Sequence, residues 1–218
     1  MSRWCLAAAA LLLSPAAPVD AQRAIEQSGA YVHRATEAVF AERVGDFRRS
    51  DLYQYDEAGD DVSATYNLMR PEGRLVLTVY VFPAPAPPSA GSPGERAAAK
   101  ASLCGAMFEG AREVIAGQHA GARATEVGGA TPAAGVAPAL SRRSVYAFRM
   151  RFNGAEQEVR SEVDLYCYVR GDWMVKYRVT SAMAVPAAAP IAEFIRTGPW
   201  PGRKPREAPA DPAVTASR

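Results

Sequence analysis

RSVYAFRMRF (residues 143–152), Asn153-Gly154 and AEQEVRSEVDLYCYV (155–169) form the stretch on which the fold turns. Asn-Gly between two alternating runs marks a two-residue hairpin, because both central residues of a type I′ turn need positive φ. Two-residue closure sets Phe152 opposite Ala155 and fixes every further pair by parity. Arg151 then faces Glu156 and Arg149 faces Glu158, while Phe148 meets Val159 and Tyr146 meets Ser161. Opposite charges meet on one face and aromatic or apolar groups on the other, so the register is self-consistent.

The same parity extends to WMVKYRV (173–179). A two-residue loop at Gly171-Asp172 would set Cys167 against Lys176 and Leu165 against Arg178. A three-residue loop, Arg170-Gly171-Asp172, instead pairs Cys167 with Val175, Leu165 with Tyr177 and Val163 with Val179. Its outer face carries Asp164 opposite Arg178 and Tyr166 opposite Lys176. The RGD triplet is therefore read as a turn, with Gly or Asp supplying the left-handed residue, and not as an adhesion signal. The expected product is a meander with one apolar and one wet face.

Outward from this meander, residues 47–55, 61–68 and 74–82 read as strands separated by DEAGD and MRPEG. The third is apolar on both faces, as a central strand is. Residues 23–46 fit either a helix or a short strand with a turn at Val44-Gly45-Asp46. PAPAPPSAG (83–91) is a stiff loop ending in Ser92-Pro93-Gly94-Glu95, a capping box with proline at the first helical position. The helix that follows places Ala97, Lys100, Leu103, Cys104, Met107, Ala111, Val114 and Ile115 near one stripe, and Gly117 stops it. ARATEV (122–127) can add a short strand, and a short helix carries Ile191, Phe194 and Ile195. The expected class is α+β: a curved antiparallel sheet of about six or seven strands on one long helix and one short C-terminal helix, both on its apolar side.

The chain has 218 residues, 25 basic against 23 acidic, for a net charge of +2. That balance argues against nucleic acid as a partner, since phosphate binding calls for a basic excess. No stretch reaches the roughly 18–20 apolar residues of a transmembrane anchor. Arg3 followed by WCLAAAALLL (4–13) and Val19-Asp20-Ala21 has the form of a signal peptide cleaved near Ala21. The expected organisation is a signal peptide over residues 1–21, a single α+β domain over 22–200 and a disordered Pro-rich tail over 201–218. The mature chain is expected in the periplasm or secreted. Cleavage removes Cys5 and leaves Cys104 and Cys167, one on the helix stripe and one on the inward sheet face, which in an oxidising compartment suggests a disulfide.

Chemistry is sparse. No nucleophile elbow, phosphate loop, dinucleotide fingerprint or zinc motif occurs, so no catalytic residue, metal or cofactor is assigned. His33 and Glu37 would share a face only if their segment were helical; His119 reads as a partner of the long helix's C-terminal dipole. The surface with most recognition capacity is the outer face of the meander. There Arg149, Arg151, Lys176 and Arg178, with Tyr166 and Tyr168 as stacking platforms, could bind an anionic or sugar-like ligand. In-register acids (Glu156, Glu158, Glu162) make a solvated, ion-paired face the competing reading. The functional expectation is an exported, non-catalytic binding or accessory module with a protein or small-molecule partner in the cell envelope. The alternative is a small hydrolase or transferase whose site has no sequence signature.

Overall fold

A computed structural model describes residues 22–133, 136–137 and 140–202. The expected signal peptide and residues 203–218 of the expected tail lie outside the described residues. The Asn153-Gly154 hairpin forms as its parity requires. Strands β9 (Ser141–Phe152) and β10 (Ala155–Val169) pair from Phe152–Ala155 through Arg151–Glu156, Arg149–Glu158 and Phe148–Val159 to Tyr146–Ser161. Asn153 and Gly154 have φ of 54° and 85°, the conformation a type I′ turn demands.

The next hairpin departs from strict alternation. Val169 pairs with Trp173 across Arg170-Gly171-Asp172, so the three-residue loop to β11 (Trp173–Ala182) is present. A bulge at Cys167 and Tyr168, the latter at φ 55°, then slips the register by one. Tyr166 faces Val175, Leu165 faces Lys176 and Val163 faces Arg178, replacing the expected partners Lys176, Tyr177 and Val179. The physical reason lies in the packing. Cys167 and Tyr168 both enter the same apolar cluster, which neighbouring residues of a regular strand could not do.

Upstream come β1 (Arg23–Ala24), β2 (Tyr31–Val32), β3 (Val39–Phe40), β4 (Arg43–Val44), β5 (Phe47–Gln54), β6 (Val62–Arg70) and β7 (Gly73–Pro83). Residues 23–46 thus contain short strands, the second of the two sequence readings, with the turn at Gly45-Asp46 between Val44 and its partner Phe47. With β8 (Arg123–Gly128), one antiparallel sheet runs β1-β5-β6-β7-β11-β10-β9-β8, β4 pairing with β5; β2 and β3 form a separate hairpin. Seven of these strands have six or more residues.

The two helices occupy opposite faces, not one. Helix α1 (Pro93–Gln118) starts at the Ser92–Glu95 capping box and buries Cys104, Phe108 and Ile115 against β9 and β10. Met107 and Val114, expected on the stripe, are 38% and 51% exposed, and Phe108 takes their place. Helix α2 (Ala188–Thr197) buries Ile191, Phe194 and Ile195 on the other face, where Phe194 meets Phe47 and Tyr66 edge-on at 4.9 Å each. Central β7 feeds both cores: Leu75, Leu77, Val79 and Val81 pack toward α2, Val76 and Phe82 toward α1. A strand apolar on both faces calls for cover on both; the α2 side is fully buried, while Val76, Tyr80 and Phe82 on the α1 side are half-buried. Cys104 and Cys167 are bonded, with Cα atoms 5.8 Å apart and 63 residues between them in sequence. Among the described residues no helix is long and apolar enough to cross a membrane.

Candidate functional site

The bulge redistributes the residues expected on one recognition face. Arg149 and Arg151 are exposed opposite Glu158 and Glu156, on the side away from α1. Tyr166 is fully buried toward α2; its hydroxyl donates to the Thr131 carbonyl at 2.6 Å and its ring packs on Trp200. Tyr168 is buried beneath α1, donating to the Pro85 carbonyl at 2.9 Å, with Lys100 Nζ 4.7 Å over its ring. Neither tyrosine is an open stacking platform. Only Lys176 and Arg178 of the expected set stay together, and they lie on the α1 face of the sheet.

There they meet residues that sequence reasoning did not select. Lys176 stands directly across from Tyr80, and its Nζ lies 4.1 Å over the Tyr80 ring and 5.9 Å from Phe82. Tyr55 approaches Tyr80 with ring centroids 6.3 Å apart and shares a 3.0 Å hydrogen bond with Ser63. Arg178 donates to His119 Nε2 at 3.1 Å and to Gln118 at 3.4 Å, tying the cluster to the end of α1. His119 also stacks on Phe148 at 4.3 Å. Burial, then Arg178, holds His119 below the usual histidine range, which disfavours the charged form at its place on the C-cap of α1.

The electrostatics of this cluster are mutually perturbed. Burial, reinforced by Arg178, lowers the Lys176 ammonium from its ordinary value, and Asp61 opposes that. Burial and then Asp56 push Asp61 up to about 6, with Lys176 pulling it back. Burial raises both Tyr55 and Tyr80. A patch of shifted acid, amine and phenols on a partly exposed surface is where ligand chemistry is to be sought. Lys176 makes no hydrogen bond or ion pair to any described residue. Its three N–H donors are thus answered by ring faces and solvent alone. Helix α1 covers β9 and β10, while Thr65, Thr78 and Tyr80 beyond it remain partly exposed.

A second charged cluster lies on the opposite face and is closed. Glu162 and Asp164 are 2% and 0% exposed. Arg143 and Arg160 reach Glu162 at 3.0 and 3.3 Å, and the Thr131 amide donates to Asp164 at 3.4 Å. Burial, then the Glu162 charge, pushes Asp164 up to about 8, so it carries a proton at neutral pH. This network pairs its charges inside the fold, leaving Arg143 Nε and Asp164 Oδ2 buried without a hydrogen-bond partner among the described residues.

Two shallow concavities, of about 290 and 270 Å³, lie elsewhere. The first is lined by Thr36, Arg170, Trp173 and Pro201, with His33 behind it. Its polar groups are already engaged. His33 Nε2 donates to the Gly59 carbonyl at 2.8 Å and Nδ1 accepts from Thr36 at 2.6 Å. Arg170 Nε donates to the Pro201 carbonyl at 3.4 Å, and the Asp172 carbonyl accepts from Ala84 at 2.7 Å, so the RGD loop is built into the structure. His33 and Glu37 share no helical face, and Glu37 points out from a left-handed residue at φ 59°. Among the described residues no three His, Cys, Asp or Glu side chains gather as metal ligands.

No protein-family model, curated protein or solved structure matches the chain. The chemistry of the Lys176 cluster therefore carries the functional reading alone.

Proposed function

We propose that this chain is an exported binding or accessory module of the cell envelope, and that it holds a small anionic or sugar-like ligand on the Lys176–Arg178 face. The observation that carries the reading is Lys176, half-buried over Tyr80 with none of its donors taken by a described residue. An ammonium removed from water without hydrogen bonds is costly, and a ligand oxygen would relieve that cost. Arg178 adds a second cation on the same face, and Tyr55 and Tyr80 offer apolar ring surface to a sugar or aliphatic body. Export draws support from the leader-like residues 1–21 and from the Cys104–Cys167 bond, which suits an oxidising compartment.

Two measurements test the reading. The full chain expressed in a Gram-negative host should be recovered from the periplasm with its first residue near Gln22; an intact N-terminus in the cytoplasmic fraction defeats the export half. Titration calorimetry against uronates, sugar phosphates and short dicarboxylates should find a ligand whose affinity falls about tenfold or more in Lys176→Ala, the loss of one charge-assisted hydrogen bond. Binding unchanged in both Lys176→Ala and Arg178→Ala would place the ligand elsewhere.

The alternative, a small hydrolase or transferase, has one observation in its favour: Asp61, pushed up to about 6, could exchange a proton near neutral pH beside an amine.

A further inference from the structure

The chain holds only three lysines, Lys100, Lys176 and Lys204, within a Lys+Arg total of 25. At most positions arginine carries the positive charge, so the two lysines among the described residues invite comparison. Lys100 is spent on structure: its Nζ donates to the Gly171 carbonyl at 3.4 Å and lies over Tyr168. Lys176 is not. It projects from the middle of the sheet over Tyr80, with Phe82 behind it, Arg178 two residues along the same strand and Asp61 acting on it from just before β6. Arginine would serve better if planar recognition of an anion were all the site needed. What lysine alone supplies is an amine that becomes a nucleophile when it loses its proton.

We infer that Lys176 captures small anionic aldehydes or ketones as an imine, with Arg178 receiving their anionic group. The inference rests on the reading of this face as a ligand site. In the step, the neutral amine adds to the carbonyl carbon and a C–N bond forms. The carbonyl electron pair moves to oxygen, which takes a proton, giving a carbinolamine. Loss of that hydroxyl as water leaves the C=N bond. Amine and carbonyl thus become imine and water, with no change of oxidation state. Asp61, whose charge acts on Lys176, is assigned the role of donating to the departing hydroxyl and taking back the proton shed by nitrogen. Residues two apart on one strand face are separated by about 7 Å, which suits a carbonyl and an acid group at opposite ends of a short chain. The direction of the Lys176 shift agrees, since burial and Arg178 both favour the uncharged amine.

The test incubates the full chain with succinic semialdehyde and cyanoborohydride at pH 7 and maps the secondary amines by peptide mass spectrometry. Lys176 should be labelled several-fold faster than Lys100, whose Nζ is held by the Gly171 carbonyl and the Tyr168 ring. Butanal, of the same length without the carboxylate, should label it more slowly, and Arg178→Gln should erase that difference. Lys176→Arg should remove the fast adduct while the circular dichroism spectrum stays unchanged, and Asp61→Asn should slow its formation. Labelling led by Lys100 or by the chain's α-amino group overturns the inference, as does an adduct that survives in Lys176→Arg. Succinate separates this inference from the reading beneath it. If succinate binds at Lys176 and no imine is trapped, the capture falls and the binding face stands; if neither occurs, both fall.

Discussion

Glu162 and Asp164 look out from one face of the sheet, Asp61 and Lys176 from the other, and the fold has handled these two sets of charge in opposite ways. On the closed side the charges are met mostly from within, although Arg143 Nε and Asp164 Oδ2 are buried without a hydrogen-bond partner among the described residues. Glu162 is held by two arginines, and Asp164 keeps its proton and takes the Thr131 amide. On the open side Lys176 lies over ring faces without a hydrogen-bond partner among the described residues, and burial pushes Asp61 up to about 6. A group that must be sealed is paired or neutralised, because an unmatched charge there would cost more than the fold can spare. A group left half-buried keeps its bonding capacity for something that arrives from solution.

The largest expected break in that contrast is Glu162→Ala, which strips Arg143 and Arg160 of their shared partner inside the closed cluster. It should cost about 3 kcal/mol in urea denaturation; a loss below about 1 kcal/mol would make the cluster no different from surface pairs. Next, replacing both Cys104 and Cys167 by serine frees the tether of α1 over β10 and should cost about 2–4 kcal/mol by the same measurement.

Smaller, and set by pH, is Asp164→Asn. The folded value of about 8 lies above the ordinary 3.8, so the folded state binds the proton more tightly. Stability from this group is full below pH 3.8 and declines as pH rises toward 8. Asp61 contributes with the same sign, its decline ending near pH 6. His33, buried and held below its ordinary 6.5, has the reverse sign: its contribution is present above 6.5 and shrinks as pH falls below it. Asn at position 164 should abolish the descent in melting temperature between pH 6 and 8 and leave the acid-side fall intact. Smallest is Lys176→Met, which on the open side should change stability by less than about 1 kcal/mol, in either direction, while lowering ligand affinity by about tenfold or more in calorimetry. Destabilisation as large as that of Glu162→Ala would show Lys176 to be structural.

How far each region could be read in advance follows from how local its determinants are. The β9–β10 register came from Asn153-Gly154 and alternation alone, and every pair named from parity is present. The disulfide followed from two faces that sequence periodicity already marked. The β10–β11 pairing failed beyond the loop because the Cys167–Tyr168 bulge answers to α1, whose Cys104 lies 63 residues upstream of Cys167 in the chain. That single slip carried Lys176 and Arg178 to the α1 face and Tyr168 beneath α1, whereas Tyr166 stays on the other face and is buried there against Trp200. Tyr80 could be placed on β7 from its alternation, yet nothing near it in sequence announces that β11 will lie alongside and set Lys176 across from it.

By itself, then, the sequence determined the elements whose causes are short-range: the type I′ turn, the Ser92 capping box, the alternation of β7 and the pairing partners of one hairpin. These depend on φ preferences and on side chains a few residues apart, which the chain carries wherever it goes. Tertiary structure alone decided which face each helix covers, where the bulge falls and which charges meet across β6, β7 and β11. Those outcomes depend on closing two cores on opposite sides of one sheet at the same time, and a bulge is what lets β10 serve both.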